Sequence, residues 1–165
     1  MLYIANSLQE LDFNALMQIY DSKEPINENV TIPEIGENTL LWSRKNDLYS
    51  YLKEDFFTRP NSFYGIWAEG DQYISTLRME PYEDGFLLQA LKTHSGYLNK
   101  GFATKLFESI LTEKKLIQKV YSHVEKRNIA SMQLHRKLGF QIIKDYAKFL
   151  DGSVSANAVT FMYEK

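Results

Sequence analysis

The segment Leu98-Asn99-Lys100-Gly101-Phe102-Ala103-Thr104 has the residue types that bind an anion through backbone. The first amides of a helix lack intrahelical partners and lie at the positive end of the helix dipole. A loop that delivers the chain there with small residues builds a phosphate pocket. Gly101 and Ala103 allow close approach to the backbone, Thr104 adds a hydroxyl, and Lys100 and Lys105 add local charge. Taken alone, the same residues are also an ordinary helix start with a tolerated glycine. As a functional site, they predict a phosphate-bearing ligand.

A second group of polar residues follows at Asn128 to His135. Asn128 is a good N-cap residue. His135 stands three residues from both Met132 and Leu138, so it shares their helix face and is expected to be partly buried. An unperturbed imidazole has a pKa of about 6.5 and can donate a proton near neutrality. The alternative for His135 is a packing role with a satisfied ring nitrogen. Candidates for a general base are Glu80, Glu83, Asp84, His94 and His123. Each carboxylate taken singly reads as a solvated surface charge. His94, His123 and His135 are scattered without ligand spacing, so no metal site is expected. Neither an ATPase-type phosphate loop nor a dinucleotide fingerprint is present.

The elements that must position these residues follow from local pattern. A short strand is expected near Leu2 to Ala5. A helix capped by Asn6 or Ser7 follows, with Leu8, Leu11, Leu16 and Ile19 as apolar positions. Pro25 and Pro33 bracket a polar loop, and a second helix runs from about Asn38 to Phe57, stopped by Arg59-Pro60. Phe63–Ala68, Tyr73–Met79 and Phe86–Leu91 form a three-stranded antiparallel meander, with turns at Glu69-Gly70-Asp71-Gln72 and Glu83-Asp84-Gly85. The period then changes. Phe102, Leu106 and Ile110 recur every four residues, marking a helix. A strand at Val120–Val124 and a helix from about Asn128 to Leu138, ended by Gly139, come next. Phe140–Phe149 and Ala156–Tyr163 pair as a closing hairpin through Asp151-Gly152. This is an α+β chain with a meander, one strand-helix-strand crossover and a C-terminal hairpin.

Composition narrows the function classes. The 165 residues, 44% of them hydrophobic and 14% aromatic, fit one globular domain spanning 1–165. With no cysteine there is no disulfide, thiolate metal site or cysteine nucleophile. A net charge of -2 disfavours a general nucleic-acid binder. Glu10 and Asp12 arrive early, and no signal peptide or membrane span is read, so a cytoplasmic location is expected.

Taken together, Leu98–Thr104 and Asn128–Phe140 resemble, in order and spacing, the two signatures of the GNAT (general N-acetyltransferase) acyltransferase superfamily. The first is (Gln/Arg)-x-x-Gly-x-(Gly/Ala) at a helix start. The second is Asn-x-x-Ala with a Leu-Tyr-x-x-x-Gly-Phe-like ending. The resemblance implies a mixed central sheet with a splayed parallel strand pair, flanked by helices. It implies acetyl-CoA as co-substrate, with pyrophosphate on the amides of Asn99, Lys100, Gly101, Phe102, Ala103 and Thr104 and Leu98 also at the cofactor site. The pantetheine arm would pair along Leu91, Lys92 and Thr93 and be bonded by Asn128. The implied reaction is direct transfer of acetyl to a primary amine of a small molecule or peptide. The thioester oxyanion would be met by a backbone amide near Leu91 or Lys92. A homodimer is common in the family. Two positions depart from its pattern: Leu98 replaces Gln or Arg, and His135 replaces the tyrosine that protonates the leaving thiolate. The glutamate many relatives carry on the strand corresponds to Leu87. The alternative function is a catalytically weak acyl-CoA-binding or regulatory module on the same fold. The N-terminal helices and final hairpin are expected to form the acceptor pocket.

Overall fold

The computed structural model describes the backbone of residues 1–21 and 37–165, and the side chains of 1–21 and 45–165. The Pro25–Pro33 loop and the side chain of Trp42 lie outside the described residues. The chain runs β1 (Leu2–Ala5), α1 (Phe13–Asp21), α2 (Glu37–Glu54), β2 (Phe63–Glu69), β3 (Gln72–Tyr82), β4 (Gly85–Thr93), α3 (Phe102–Glu113), β5 (Lys119–Glu125), α4 (Ile129–Lys137), β6 (Gln141–Lys144), β7 (Ala147–Lys148), β8 (Val154–Ser155) and β9 (Ala158–Glu164). Seven strands form one sheet in the order β1-β2-β3-β4-β5-β9-β6, and β7-β8 is a separate ribbon. In the large sheet only β4 and β5 run parallel.

Two elements differ from the sequence expectation. The first helix is broken. Leu8–Glu10 forms a single 3-10 turn, and Ser7 makes no side-chain cap bond to it. Helix α1 instead starts behind Asp12, whose Oδ1 accepts from the Ala15 amide at 3.0 Å. An ionised carboxylate at a helix N-terminus gains from both the bond and the dipole. The closing hairpin is also interrupted. Strand β9 pairs with β5 on one side and β6 on the other. After Lys144 the chain leaves the large sheet and forms the β7–β8 ribbon around Asp151-Gly152.

The sheet is covered on both faces because its strands alternate apolar side chains inward to two cores. Leu77, Met79, Leu88, Val120, Val124 and Phe161 face Leu106, Phe107 and Ile110 of α3. On the other face Tyr64, Ile66 and Tyr73 pack against Leu16 and Ile19 of α1 and Leu52 of α2. Gly85 is where the parallel pair is tightest: a Cβ there would lie 2.4 Å from the Lys119 carbonyl oxygen. Glycine at this position lets β4 begin beside β5.

Candidate active site

The site is built by the failure of β4 and β5 to stay paired. Their register holds only at Phe86↔Val120 and Leu87↔Tyr121. On the other side of β4, the register with β3 shifts between Thr76 and Arg78, and Ala90 adopts a left-handed φ of 50°. An extra residue in one strand bends it and raises its twist. Strand β4 therefore turns away from β5 past Leu88, and the Ser122 hydroxyl reaches across the start of the gap to within 3.3 Å of the Leu88 carbonyl. A cleft of about 760 Å³ opens between the end of β4, the start of α3 and helix α4.

The cleft wall gathers almost all of the residues expected from sequence. Leu91, Lys92, Thr93, Leu98, Asn99, Gly101, Phe102, Ala103, Thr104, Asn128 and His135 all line it. Lys100 does not. Its Nζ donates back to the Gly96 carbonyl at 3.1 Å and stands 5.2 Å over the Tyr97 ring. Sequence reading missed Ser95, Tyr97, Ser131, Gln133 and Lys137. The helical period from Asn128 would have placed Ser131 on the same side, one turn before His135.

Gly101 is the N-cap of α3 with φ 82°, and no side chain caps the helix. The left-handed conformation costs an L side chain about 1–2 kcal/mol, and glycine adopts it freely. The first-turn amides of Phe102, Ala103 and Thr104 thus present an anion site to the cleft. Asn128 caps α4: its Oδ1 accepts from the Ser131 amide at 3.1 Å. Leu98 is 42% exposed at the cleft wall and offers no donor.

His135 is buried, 3% exposed. Its ring stacks on Phe161 at 5.2 Å and meets Phe140 edge-on. Nδ1 lies 2.8 Å from the Ser131 carbonyl oxygen and 3.3 Å from the Ser131 hydroxyl. A carbonyl only accepts, so Nδ1 carries the proton. Nε2 then accepts from the Ser122 hydroxyl at 2.8 Å. Burial pushes the imidazole pKa down, partly offset by the Ser131 carbonyl. The ring is accordingly neutral, with its one N–H held inside the protein.

The candidate bases separate once their partners are known. Glu80 is not a surface charge: it is 1% exposed, and Oε2 accepts from the Arg59 guanidinium while Oε1 has no partner. Asp84 accepts from Lys119 Nζ at 2.6 Å and from the Tyr121 hydroxyl. These bonds hold its carboxyl below the usual range and push Tyr121 up to about 12. His94 Nδ1 accepts from the Gly96 amide at 3.1 Å. Glu83 is exposed on the β3–β4 turn. His123 is half-buried, and its Nε2 has no hydrogen-bond partner. Among the described residues no cluster of three metal-ligating side chains is present. No helix among them is long and apolar enough to cross a membrane.

A mixed sheet split at its one parallel pair, with a bare helix N-terminus facing the split, defines an acyltransferase of the class anticipated from the two motifs. The family model of the acetyltransferase (GNAT) family matches residues 15–140, and the chain belongs to that family. No curated protein matches the sequence. Among solved structures, the chain resembles an acetyltransferase from Thermus thermophilus with a TM-score of 0.68 at 15% identity, covering 100% of this chain and 97% of that one. It resembles the PaiA N-acetyltransferase of Thermoplasma acidophilum, solved in complex with coenzyme A, with a TM-score of 0.65 at 14% identity over 100% and 99%. The ribosomal-protein-S18-alanine N-acetyltransferase of Escherichia coli gives 0.62 at 16% identity over 99% and 94%. At these identities the likeness is one of fold.

Proposed function

We propose that residues 1–165 form a single acetyl-CoA-dependent N-acetyltransferase domain, acting on a primary amine of a small molecule or peptide by direct attack in a ternary complex. The observation that carries this reading is the cleft where β4 leaves β5, faced by the uncapped first turn of α3. A neighbour of the same fold was solved with coenzyme A. Acetyl-CoA supplies an activated acyl group whose thiolate leaves more readily than an alkoxide. The residues proposed to hold its pyrophosphate are the amides from Asn99 to Thr104. The free edge of β4 at Leu91 to Thr93 serves the pantetheine arm as an added strand. The bulge at Ala90 leaves Ala90 and Leu91 outside the β3 register, and a backbone amide near Leu91 or Lys92 is the proposed fixed donor for a developing oxyanion. Asn128, already committed to its helix cap, offers its amide NH2 to the cleft.

His135 has its N–H tied to Ser131, so its proposed part in thiolate departure runs through that residue. The ring fixes Ser131 and leaves the Ser131 hydroxyl proton free to bond the departing sulfur. A cytoplasmic location and a homodimer belong to the same proposal. Thiol release from acetyl-CoA, screened against polyamines, amino sugars, amino acids and peptides, tests the reading. Release with at least one amine class is expected, and none across all classes refutes it. Two observations favour the alternative of a CoA-binding module without turnover: Leu98 and the tied-up His135 both depart from the family pattern. Calorimetric binding of CoA without transfer to any amine would establish it.

A further inference from the structure

We propose that His123 is the general base that receives the acceptor's proton, an assignment that rests on the acetyltransferase reading above. Along β5, side chains alternate between the two faces of the sheet. Ser122 points to His135 on the cleft side, so Tyr121 and His123 point to the opposite face. His123 lies two residues beyond Tyr121, the last β5 residue paired with β4. It therefore lies on the part of β5 that is no longer paired with β4, at the level where β4 kinks at Ala90 and the strands part. A thioester entering from the α3–α4 side fills one side of this gap. An attacking amine has to come from the other, where His123 is.

The chemistry of the position suits a base. The ring sits edge-on to Tyr82 from β3 at 5.6 Å and to Phe149 from the β7–β8 ribbon at 5.4 Å. Its row neighbour on β9 is Thr160, whose hydroxyl is committed to the Tyr146 carbonyl. The titratable groups facing it are Tyr82 and Lys144 of β6. Among the described residues no carboxylate pairs with it, and Nε2 has no hydrogen-bond partner and is screened from water. Burial and the Lys144 charge both favour the uncharged ring. Of the other candidates, Glu80 is bonded to Arg59, Asp84 to Lys119 and Tyr121, and His94 to the Gly96 amide, while Glu83 is exposed on the β3–β4 turn. The Phe149 edge belongs to an exposed ribbon, 39% exposed at that residue, and is what an incoming amine displaces.

His123 Nε2 takes one proton from the acceptor ammonium. The freed nitrogen lone pair forms the bond to the acetyl carbon, and the C–S bond breaks with its electron pair on sulfur. The second nitrogen-bound proton ends on that sulfur, and His123 releases its own proton to solvent.

The test compares n-butylamine, charged at neutral pH, with hydroxylamine, uncharged there and needing no base to free its lone pair. For His123→Gln we expect thiol release with butylamine to fall at least about 100-fold, and with hydroxylamine less than about fivefold. Calorimetric CoA affinity should stay unchanged. The acid limb of the butylamine kcat/KM profile should move with the substitution. Nitrogen-15 NMR of the histidine rings in the ligand-free protein should show Nε2 of His123 unprotonated at pH 7. Equal losses with both amines, no loss with either, or a protonated Nε2 at pH 7 would overturn the assignment. Should the wild-type chain release no thiol with either amine or with any class in the wider screen, the acetyltransferase reading itself falls, and this assignment with it. His123→Ala with the same assays covers the case in which the glutamine variant fails to fold.

Discussion

The neutral, buried state of His135 predicts a specific pH dependence of stability. The perturbation is His135→Phe, which keeps a ring between Phe140 and Phe161 but removes the bonds to Ser122 and the Ser131 carbonyl. At pH 7.5 the variant should be less stable by about 1–3 kcal/mol, since the ring bond to the Ser131 carbonyl is lost and the Ser122 hydroxyl keeps only the 3.3 Å contact to Leu88. The wild-type imidazole has a folded pKa below its unfolded value of about 6.5. Its neutral burial is therefore fully favourable above that pH and is undermined below it, because the unfolded chain binds a proton that the folded one does not. A ring that stays neutral when folded costs about 1.4 kcal/mol at pH 5.5 and about 2 kcal/mol at pH 5.0. Urea denaturation followed by circular dichroism at pH 7.5, 6.5, 5.5 and 5.0 measures both proteins. The two proteins share every other titratable group, so the difference isolates His135. The stability gap between wild type and variant should narrow as the pH falls, by at most those amounts. A gap that stays constant down to pH 5.0 would show that the imidazole charges freely inside the fold, and the tautomer deduced from Ser131 would be wrong.

Three further outcomes are expected. Gly85→Ala, whose Cβ would meet the Lys119 carbonyl at 2.4 Å, should lower stability by about 1–3 kcal/mol and Tm by about 2–4 °C per kcal/mol, measured by thermal denaturation. Asn128→Ala removes the α4 cap and should cost about 1 kcal/mol in urea titration, together with a measurable loss of CoA affinity by calorimetry. Leu98→Arg places a charged donor on the cleft wall beside the α3 N-terminus. It should tighten CoA binding roughly fivefold, an effect that shrinks as salt is raised.

Much of the architecture is legible in the chain because its causes are local. The meander strands and the starts of α3 and α4 follow from period and turn chemistry within a few residues of each other, and they recur in the fold with their expected neighbours. The pocket-forming segment around Gly101 is legible for the same reason: a helix N-terminus is anionophilic wherever it occurs. The first helix departs from its pattern because Leu8 and Leu11 fit a helical stripe, while the competing signal, Asp12 as a cap, sits inside that stripe. The reach of the Lys100 side chain to Gly96 and Tyr97 follows a backbone turn at Asn99 that residue type alone does not specify.

What the sequence by itself determined is the set of parts: an anion-binding helix start, a capped second helix carrying His135, and strands to hold them. What only the tertiary structure decided is how distant parts compete for one another. Glu80 became a buried ion-pair partner because Arg59, 21 residues earlier, folds onto β3. Strand β9 inserted between β5 and β6, and β4 parted from β5 at a kink whose register is set by β3. Those events bring residues far apart in the chain to one point, and no local period encodes them. They also place Ser122 with His135 on one face and His123 on the other, dividing the cleft side from the opposite face of the sheet.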